Sequence, residues 1–163
     1  MNLLEKSIPY KSIIMRCDSI NKNAFLEEAE CFSVVKYHEG MQSVWIDIQK
    51  AAGQFDDYSD RDIADYFEKT FLYDNSEIAE RCFFLKDRME DAYIGTCYAW
   101  FSNKGNIIVP VLHWLAVVPA YRNKVCARML ISNVLHYFEK KYAKQAIYLH
   151  TQPESYCDTK EKI

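Results

Sequence analysis

Apolar residues recur at intervals of three and four along residues 40–52, where Trp45, Ile48 and Ala52 share one face. This spacing is typical of an amphipathic helix, because about 3.6 residues complete each turn. Gly53 follows directly and readily adopts the left-handed backbone at which many helices end. We therefore expect the first helix over 40–52, with its apolar face against a core.

A second helical pattern begins at a capping residue, either Ser59 or Asp60. Its apolar stripe consists of Ile63, Tyr66, Phe67 and Phe71. Aromatic residues at helical spacing usually belong to a core, so packing is the first interpretation of this stripe. A wider aromatic set near both helices fits either the core or an aromatic pocket: Trp45, Phe55, Tyr58, Tyr66 and Phe67.

Runs of β-branched and aromatic residues predict six strands. These runs are residues 10–17, 31–37, 81–86, 93–101, 109–118 and 146–150. Short polar turns, 87–91 and 102–106, separate the third, fourth and fifth strands, so we expect these three to be antiparallel neighbours. The first strand has the weakest pattern of the six.

Residues 124–142 predict a long helix between the last two strands. Its apolar face consists of Ala127, Leu130, Ile131, Val134 and Phe138. A strand, a helix and a second strand normally form a right-handed connection between parallel strands. The expected fold class is therefore α/β, with a mixed, mainly antiparallel central sheet flanked by helices on both faces.

The composition favours one soluble cytoplasmic domain. The 163 residues are 50% hydrophobic, enough for one sizeable core, and no linker or repeat divides them. We expect a single domain over 1–163, with 1–30 as a weakly assigned N-terminal extension. Residues 1–6 lack the apolar segment of a secretory signal, and no apolar run reaches the ~20 residues of a membrane span. The net charge of -3 gives no overall cationic field for nucleic acid.

The six cysteines stand far apart, without C-x-x-C spacing, and the four histidines do not cluster. Zinc sites and compact disulfide frameworks both place these residues at short, recognisable spacings, so neither is indicated. We therefore expect reduced, buried thiols and no metal.

The candidate chemistry lies where the fifth strand passes into the long helix, over residues 117–130. A strand that leads into a cationic turn and a helix N-terminus offers backbone N–H groups and positive charge to phosphate. Arg122, Lys124 and Arg128 supply the charge, although the turn contains no glycine to bring backbone close to a ligand. The alternative is that these are ordinary solvated charges at a helix entry.

This segment, Val-Val-Pro-Ala-Tyr-Arg-Asn-Lys-Val-Cys-Ala-Arg-Met-Leu, and the order of elements resemble the GNAT acyltransferase superfamily, whose members use acetyl-CoA to acetylate amines. The resemblance covers residues 31–156. It implies that the family's loop pattern, Arg/Gln-x-x-Gly-x-Gly/Ala, falls on Arg122, Val125 and Ala127. Val125 replaces a glycine there, and a β-branched residue disfavours positive φ and crowds an approaching phosphate. The residues implied to hold the CoA pyrophosphate are Arg122, Asn123, Lys124, Val125, Cys126, Ala127 and Arg128.

The resemblance also implies roles for the fifth strand and for the C-terminal residues. The backbone of Leu115, Ala116 and Val117 is implied to bind the pantetheine arm of the cofactor. Ser155 is implied to contact the same arm or to cap the next helix. The family's tyrosine, which protonates the leaving thiolate, has no counterpart at the matching position near residues 161 and 162.

His113 is the candidate general base, because histidine titrates near neutrality and this one lies on the strand that would run under the acetyl group. The alternative is a core histidine packed beside Trp114. Asp56, Asp57 and Asp60 either attract a cationic amine or form an ordinary exposed acidic loop.

These expectations describe an acetyltransferase that moves an acetyl group from acetyl-CoA to an amine of a small molecule or peptide by direct attack. The alternative is a catalytically inactive GNAT-like domain that binds CoA or another protein, as Val125 and the short C-terminus suggest. A purely structural homodimer is a third hypothesis.

The C-terminal sequence predicts an incomplete sheet. Only eight residues follow Ser155, whereas the family usually completes a helix and adds one or two strands, so we expect these final strands to be lacking. The edge of the strand 146–150 would then be unpaired, which proteins normally avoid. It would be covered by a partner chain, as in a homodimer, or by the strand 10–17, unless the chain is a degenerate or truncated copy.

Overall fold

The computed structural model of the protein describes residues 9, 11–26, 29–72, 77–122, 124–142 and 145–152, without the side chains of residues 24 and 104. The strands among them are β1 (Ile13–Cys17), β2 (Phe32–Lys36), β3 (Cys82–Asp87), β4 (Ala92–Lys104), β5 (Ile107–Val117) and β6 (Ile147–Thr151). The α-helices are α1 (Gln42–Ala51), α2 (Asp60–Phe67), α3 (Ile78–Arg81) and α4 (Cys126–Tyr142). None of the helices in these ranges is long and apolar enough to cross a bilayer.

The strands form one open sheet in the order β1-β6-β5-β4-β3-β2. Described neighbours are antiparallel except β5 and β6, which run parallel and are joined through α4. This arrangement confirms the expected mixed, mainly antiparallel sheet. The predicted strand, helix and strand segment supplies the parallel pair.

β1, the strand with the weakest sequence pattern, pairs with β6 in a register that runs from Ile13 opposite Thr151 to Cys17 opposite Ile147. Of the proposed ways to cover the edge of the last strand, the structure therefore shows the N-terminal strand in that place. β1 becomes an edge of the described sheet in turn, and all five of its residues are exposed.

Helices cover both faces of the sheet, as expected. The core on the side of α4 includes Leu85, Ile94, Ala99, Leu112, Met129, Leu130, Val134 and Phe138. The core on the side of α1 and α2 includes Trp45, Ile48, Ile63, Phe67, Phe71, Phe84 and Tyr98. The apolar stripes of the predicted helices are therefore their packed faces, except that Tyr66 on α2 is 36% exposed.

The cap of α2 forms as the sequence indicates and fixes where this helix begins. The Ser59 hydroxyl accepts a hydrogen bond from the Asp62 backbone N–H, and the Asp62 carboxylate accepts one from the Ser59 backbone N–H. This reciprocal capping box satisfies N–H groups that a helix start leaves without partners. A π-helical turn, Glu68–Leu72, extends the helix and places Phe71 in the core.

Two boundaries differ from the sequence prediction. β4 continues to Lys104 and β5 begins at Ile107, so the turn between them has two residues rather than five. Gly105 has a φ of 64°, and a glycine with positive φ at the first turn position is typical of a type II′ hairpin. α4 begins at Cys126, two residues later than predicted.

The cysteines only partly match the expectation of buried thiols. All five described cysteines are free, and Cys82, Cys97 and Cys126 are buried, but Cys17 and Cys31 are exposed. Cys17 is exposed because it lies on the edge strand β1, and Cys31 because it lies in the turn before β2. Burial raises the pKa of Cys82 to about 12, so this thiol stays protonated at neutral pH.

Candidate functional site

β5 carries a β-bulge in the middle of the segment that the sequence assigned to the acyl end of the site. Thr96 pairs with Ala116 and Tyr98 with His113, so a single β4 residue lies opposite two β5 residues, Trp114 and Leu115. Trp114 has a φ of 52°, a left-handed conformation that bulky residues seldom adopt. The extra residue of a bulge leaves its backbone polar groups outside the regular ladder.

β5 and β6 separate where this bulge begins. Their parallel pairing covers Val111 opposite Tyr148 and Leu112 opposite Leu149, although β6 itself continues to Thr151. The described strands therefore open from residue 113 onward, and in this register residues 115–117 continue β5 past the end of β6 at Thr151. An extended ligand can enter such an opening and bond to the free strand edge, as in β-strand addition.

Arg122 connects the end of β5 to the end of α1. Its Nε donates to the carbonyl oxygen of Val117 at 3.1 Å, and its Nη2 donates to the carbonyl oxygen of Ala52 at 3.1 Å. The sequence assigned this guanidinium to a phosphate. In the structure it is half-buried and holds the backbone on which the loop and the strand end depend.

Lys124 lies beside an aromatic ring and a carboxylate. Its Nζ is 4.8 Å from the centre of the Tyr121 ring, and the Tyr121 hydroxyl donates to the Asp87 carboxylate. Burial alone would raise the pKa of Asp87, but hydrogen bonds from the Glu90 and Met89 backbone N–H groups hold it below its usual value. The cationic turn therefore lies beside a fixed negative charge on β3, which reduces its positive field.

Val125 fits its position without backbone strain. The described non-glycine residues with positive φ are Phe55, Asp91 and Trp114, and Val125 is not among them. Its side chain packs against the core on the α4 side, and its carbonyl oxygen accepts the first helical hydrogen bond, from Met129 N–H at 3.0 Å. A glycine is not required here.

The N-terminus of α4 opens directly after Val125. Cys126 is fully buried, Ala127 is half-buried and Arg128 is exposed. The N–H groups of a first helical turn have no partner within the helix and favour an anion. Lys124 and Arg128 are exposed on either side of this turn, whereas Asn123 lies outside the described residues.

His113 lies on β5 immediately before the bulge, half-buried between two tryptophan rings. The ring centres of Trp100 and Trp114 are 6.3 Å and 5.0 Å from that of His113. Burial lowers the pKa of His113 to about 4, with a smaller contribution from the charge of His150. At neutral pH this imidazole is uncharged and can accept a proton or a hydrogen bond.

A cavity of about 340 Å³ lies in front of His113. Its polar lining comes from β4, β5 and β6 and from residues at the start of β1: Ser12, Ser102, His113, Tyr148 and His150. The Ser12 hydroxyl lies 2.7 Å from Nε2 of His150, so the cavity wall depends on the pairing of β1 with β6.

A second cavity, of about 590 Å³, lies beside α2. Its lining is Phe55, Tyr58, Asp62, Asp65, Tyr66 and Lys69. Phe55 stacks on the Trp114 ring at 5.6 Å between centroids, which connects this cavity to the bulge. Of the aromatic set selected from the sequence, Phe55, Tyr58 and Tyr66 line this cavity, whereas Trp45 and Phe67 are fully buried in the core.

The carboxylates of this second cavity are not the ones that the sequence selected. Asp62 and Asp65 line it, whereas Asp60 forms an exposed ion pair with Lys50. Asp62 and Asp65 lie on the first two turns of α2, so they point to the same solvent-facing side as Tyr58 and Tyr66. Helical spacing explains why position on α2, rather than closeness in sequence, decides which carboxylates reach the cavity.

Gln49 is a residue of the site that the sequence did not single out. It lies on α1, is 1% exposed, and donates from Nε2 to the carbonyl oxygen of Trp114 at 3.3 Å. The sequence feature that could have revealed it is its spacing: Gln49 follows Trp45 by four residues and therefore lies on the buried face of the helix. A polar residue on that face indicates a buried hydrogen-bond partner.

Comparison with known proteins identifies the family of this chain. The acetyltransferase (GNAT) family matches the chain over residues 25–156. No curated protein sequence matches it significantly.

Solved structures share the fold at low sequence identity. A GCN5-related N-acetyltransferase from Sphaerobacter thermophilus has a TM-score of 0.65 at 14% identity, over 90% of this chain and 45% of its own. The aminoglycoside N-acetyltransferase AAC(6')-Iy, in complex with CoA, has a TM-score of 0.62 at 17% identity, over 84% of this chain and 88% of its own. A GNAT acetyltransferase from Staphylococcus aureus has a TM-score of 0.53 at 19% identity, over 74% and 72%.

The present chain thus spans less than half of the Sphaerobacter protein but most of the aminoglycoside enzyme. At these identities the solved structures establish only the fold, whereas the family match over residues 25–156 establishes membership in the family. With the bulged strand, the opening between β5 and β6 and the loop before α4, they lead to one conclusion: the chain belongs to the GNAT family of N-acetyltransferases.

Proposed function

We propose that the protein transfers the acetyl group of acetyl-CoA to an amine by direct attack. The observation that carries this proposal is the β5 bulge at 114–115, where the β5–β6 pairing has ended. His113, directly before the bulge, lines one cavity, and Phe55, stacked on Trp114, lines the other. Such a site brings a thioester and an amine together and surrounds them with protein dipoles, which is what acyl transfer requires.

The chemistry needs a neutral nitrogen and a stabilised oxyanion. The lone pair of the amine attacks the thioester carbonyl carbon, a C–N bond forms, the C–S bond breaks, and the proton lost by nitrogen reaches the departing thiolate. Negative charge gathers on the carbonyl oxygen during attack. Backbone N–H groups of Trp114 and Leu115, which the bulge releases from the regular ladder, supply donors for it.

His113 contributes as a hydrogen-bond acceptor for the amine. Its pKa of about 4 keeps the imidazole neutral at physiological pH, so it accepts from an N–H group without competing protonation. The same low pKa gives little driving force for complete proton abstraction near pH 7, because efficient general bases titrate close to the working pH. Its role is therefore to orient the nitrogen lone pair more than to remove the proton.

The cofactor is held along β5 and at the start of α4. In this proposal the backbone of Leu115, Ala116 and Val117 binds the pantetheine arm, the role that the family resemblance implies. The pyrophosphate is held by N–H groups of Cys126, Ala127 and Arg128, with charge from Lys124. Arg122 supports this site by bonding the backbone carbonyls at its base. Asn123 and Ser155 lie outside the described residues, and their contacts with CoA stay predictions.

The cavity beside α2 suits a further, cationic amino group of the acceptor, away from the neutral nitrogen that His113 contacts. Asp62 and Asp65 provide negative charge there, and Phe55, Tyr58 and Tyr66 provide ring faces that attract cations. Tyr58 is 61% exposed, which leaves its ring available to a ligand.

The test is thiol release from acetyl-CoA with a panel of mono- and polyamines, together with titration calorimetry. We expect binding of acetyl-CoA and turnover of cationic amines well above hydrolysis. The Lys124→Ala variant should raise the KM for acetyl-CoA and leave kcat within about twofold, because this lysine contacts the phosphate end only. Binding without turnover of any amine would favour the inactive CoA-binding alternative, and absence of binding at millimolar acetyl-CoA would contradict both.

We also propose a cytoplasmic homodimer. The free thiols of the described cysteines suit a reducing compartment. The edge strand β1 leaves Ile14 and Met15 61% and 55% exposed, and an antiparallel pair of identical edges satisfies twofold symmetry.

A further inference from the structure

The buried face of α1 contains a side-chain amide among apolar residues. Gln49 is 1% exposed, while Trp45, Ile48 and Ala52 on the same face are apolar. Burial of an amide without a partner is unfavourable, so a glutamine at such a position is stabilised only through its hydrogen bonds. Here the partner is the carbonyl oxygen of Trp114, 3.3 Å from Nε2 of Gln49.

The accepting carbonyl belongs to a residue that needs support. Trp114 has a φ of 52° and lies in the bulge, where β5 has two residues opposite a single residue of β4. A bulky residue persists in the left-handed region only where its surroundings determine the conformation. Those surroundings include the Phe55 ring stacked on Trp114 and the Cys97 thiol, which donates to the His113 carbonyl oxygen at 3.7 Å.

The direction of one carbonyl fixes the direction of the next N–H group. The Trp114 C=O and the Leu115 N–H belong to one planar, trans peptide unit and point to opposite sides of it. A donor that holds the Trp114 oxygen therefore also sets where the Leu115 N–H points. Gln49 acts from α1 through this backbone carbonyl, and its side chain is not part of the lining of either cavity.

We infer that Gln49 is a positioning residue for acyl transfer: it holds the Trp114 carbonyl and thereby aims the Leu115 N–H at the developing oxyanion. This inference rests on the proposed acetyl transfer. It extends that proposal to a residue outside the CoA loop, the β5 strand and both cavities. Gln49 acts through the backbone, so its loss changes the rate of the chemical step and leaves cofactor binding in place.

The experiment compares Gln49→Met with Gln42→Met. Methionine keeps a similar length and removes the amide donor. Gln42 is a matched control, because it lies on the same helix and donates from Nε2 to the Ala64 carbonyl oxygen at the same distance, 3.3 Å, away from the bulge. We expect Gln49→Met to lower kcat about 10- to 100-fold with the KM for acetyl-CoA within about threefold. Gln42→Met should change kcat less than about twofold.

A second measurement reads the backbone directly and needs no turnover. Amide hydrogen exchange at Leu115, followed by NMR in the presence of CoA, should be faster in Gln49→Met than in wild type and in Gln42→Met. Equal exchange in all three proteins, or an equal kcat in both variants, would overturn the positioning role. A wild type that turns over no amine while the Leu115 exchange still differs would overturn the acetyl-transfer proposal and retain the Gln49 contact as structural.

If Gln49→Met fails to fold, Gln49→Leu provides the same comparison. Leucine is apolar and has no group that could donate to the Trp114 oxygen. The expected pattern of kcat, KM and Leu115 exchange is the same as for methionine, and wild-type values in this variant would contradict the inference.

Discussion

His113 illustrates how burial changes what a single side chain can do. A histidine on a strand near an acyl site is expected to titrate near neutrality. Placed between Trp100 and Trp114, it has a pKa of about 4, because burial disfavours the charged imidazolium. The residue type indicated a base, and its surroundings make it a neutral hydrogen-bond acceptor.

This shift predicts a loss of stability in mild acid. Between pH 6.5 and 4 the unfolded chain binds a proton at His113 that the folded protein does not, so the free energy of unfolding falls as the pH falls. The decline should exceed that of a His113→Phe variant by up to about 1.4 kcal/mol per pH unit in this window. Urea unfolding at several pH values measures it; parallel curves for the two proteins would contradict the buried, neutral histidine.

Val125 predicts the outcome of restoring the family's glycine. Because the Val125 backbone has no positive φ and its side chain packs on the core, Val125→Gly relieves no strain and removes contacts. We expect a loss of about 1–2 kcal/mol in the free energy of unfolding and a Kd for acetyl-CoA within about threefold of wild type. Val125→Ala separates lost packing from backbone freedom. A tenfold tighter Kd in the glycine variant would show that the valine crowds the phosphate.

At the scale of elements, the site depends on how α1 and α2 lie against β5. Phe55 stacks on Trp114, and Tyr66 on α2 contacts the same ring at 5.6 Å. The capping box at Ser59 fixes where α2 begins, and hence the position of Tyr66 relative to the Trp114 ring. A local sequence motif therefore shapes the wall of the cavity beside the bulge.

The capping box predicts a measurable contribution from Ser59. Ser59→Ala removes the acceptor for the Asp62 N–H and should lower the free energy of unfolding by about 1 kcal/mol. Ser43→Ala, at an exposed position within α1, is the matched control and should have little effect or a small stabilising one. Urea midpoints compare them; equal midpoints for the two variants would mean that the cap contributes nothing.

At the scale of the whole molecule, the N-terminal strand completes the sheet. Ser12 and His150 are in contact although 138 residues separate them, so the cavity in front of His113 forms only when β1 pairs with β6. β1 then forms the exposed edge of the described sheet, and its residues Ile14 and Met15 are largely in solvent. An apolar edge of this kind favours association with another strand.

The proposed homodimer predicts a specific effect of charge on β1. Ile14→Lys should shift the protein from dimer to monomer, because a lysine on an edge strand opposes its pairing with the same edge of a second copy. Met89→Lys makes the same kind of change at a position that is 83% exposed in the β3–β4 turn and should leave the dimer intact. Light scattering after gel filtration measures the masses. A wild type that is monomeric at every concentration would contradict the homodimer.

Much of the fold was predictable because it depends on local order. The 3.6-residue periodicity of 40–52, the cap at Ser59 and the short turns between β3, β4 and β5 are properties of neighbouring residues. They gave the helices, the antiparallel strands and the parallel crossover. The loop before α4 also stood out, since its charge and its helix start lie together in the chain.

The site was less predictable because its contacts join distant parts of the chain. Gln49 meets Trp114 across 65 residues and Arg122 meets Ala52 across 70, and no local pattern reports such distances. The bulge at Trp114 likewise depends on how β4 and β5 align over their full length. The exposure of Tyr58 and the burial of Trp45 followed from the packing of two helices against the sheet.

The sequence by itself determined the elements, their order and the family to which they point, because periodicity, caps and turns are short-range. Only the tertiary structure decided that β1 covers β6, that Val125 needs no left-handed backbone and that Arg122 bonds to backbone carbonyls. It also placed a buried amide behind the bulged strand. The reason is physical: hydrogen bonds, burial and pKa shifts depend on distance in space, which chain order does not fix.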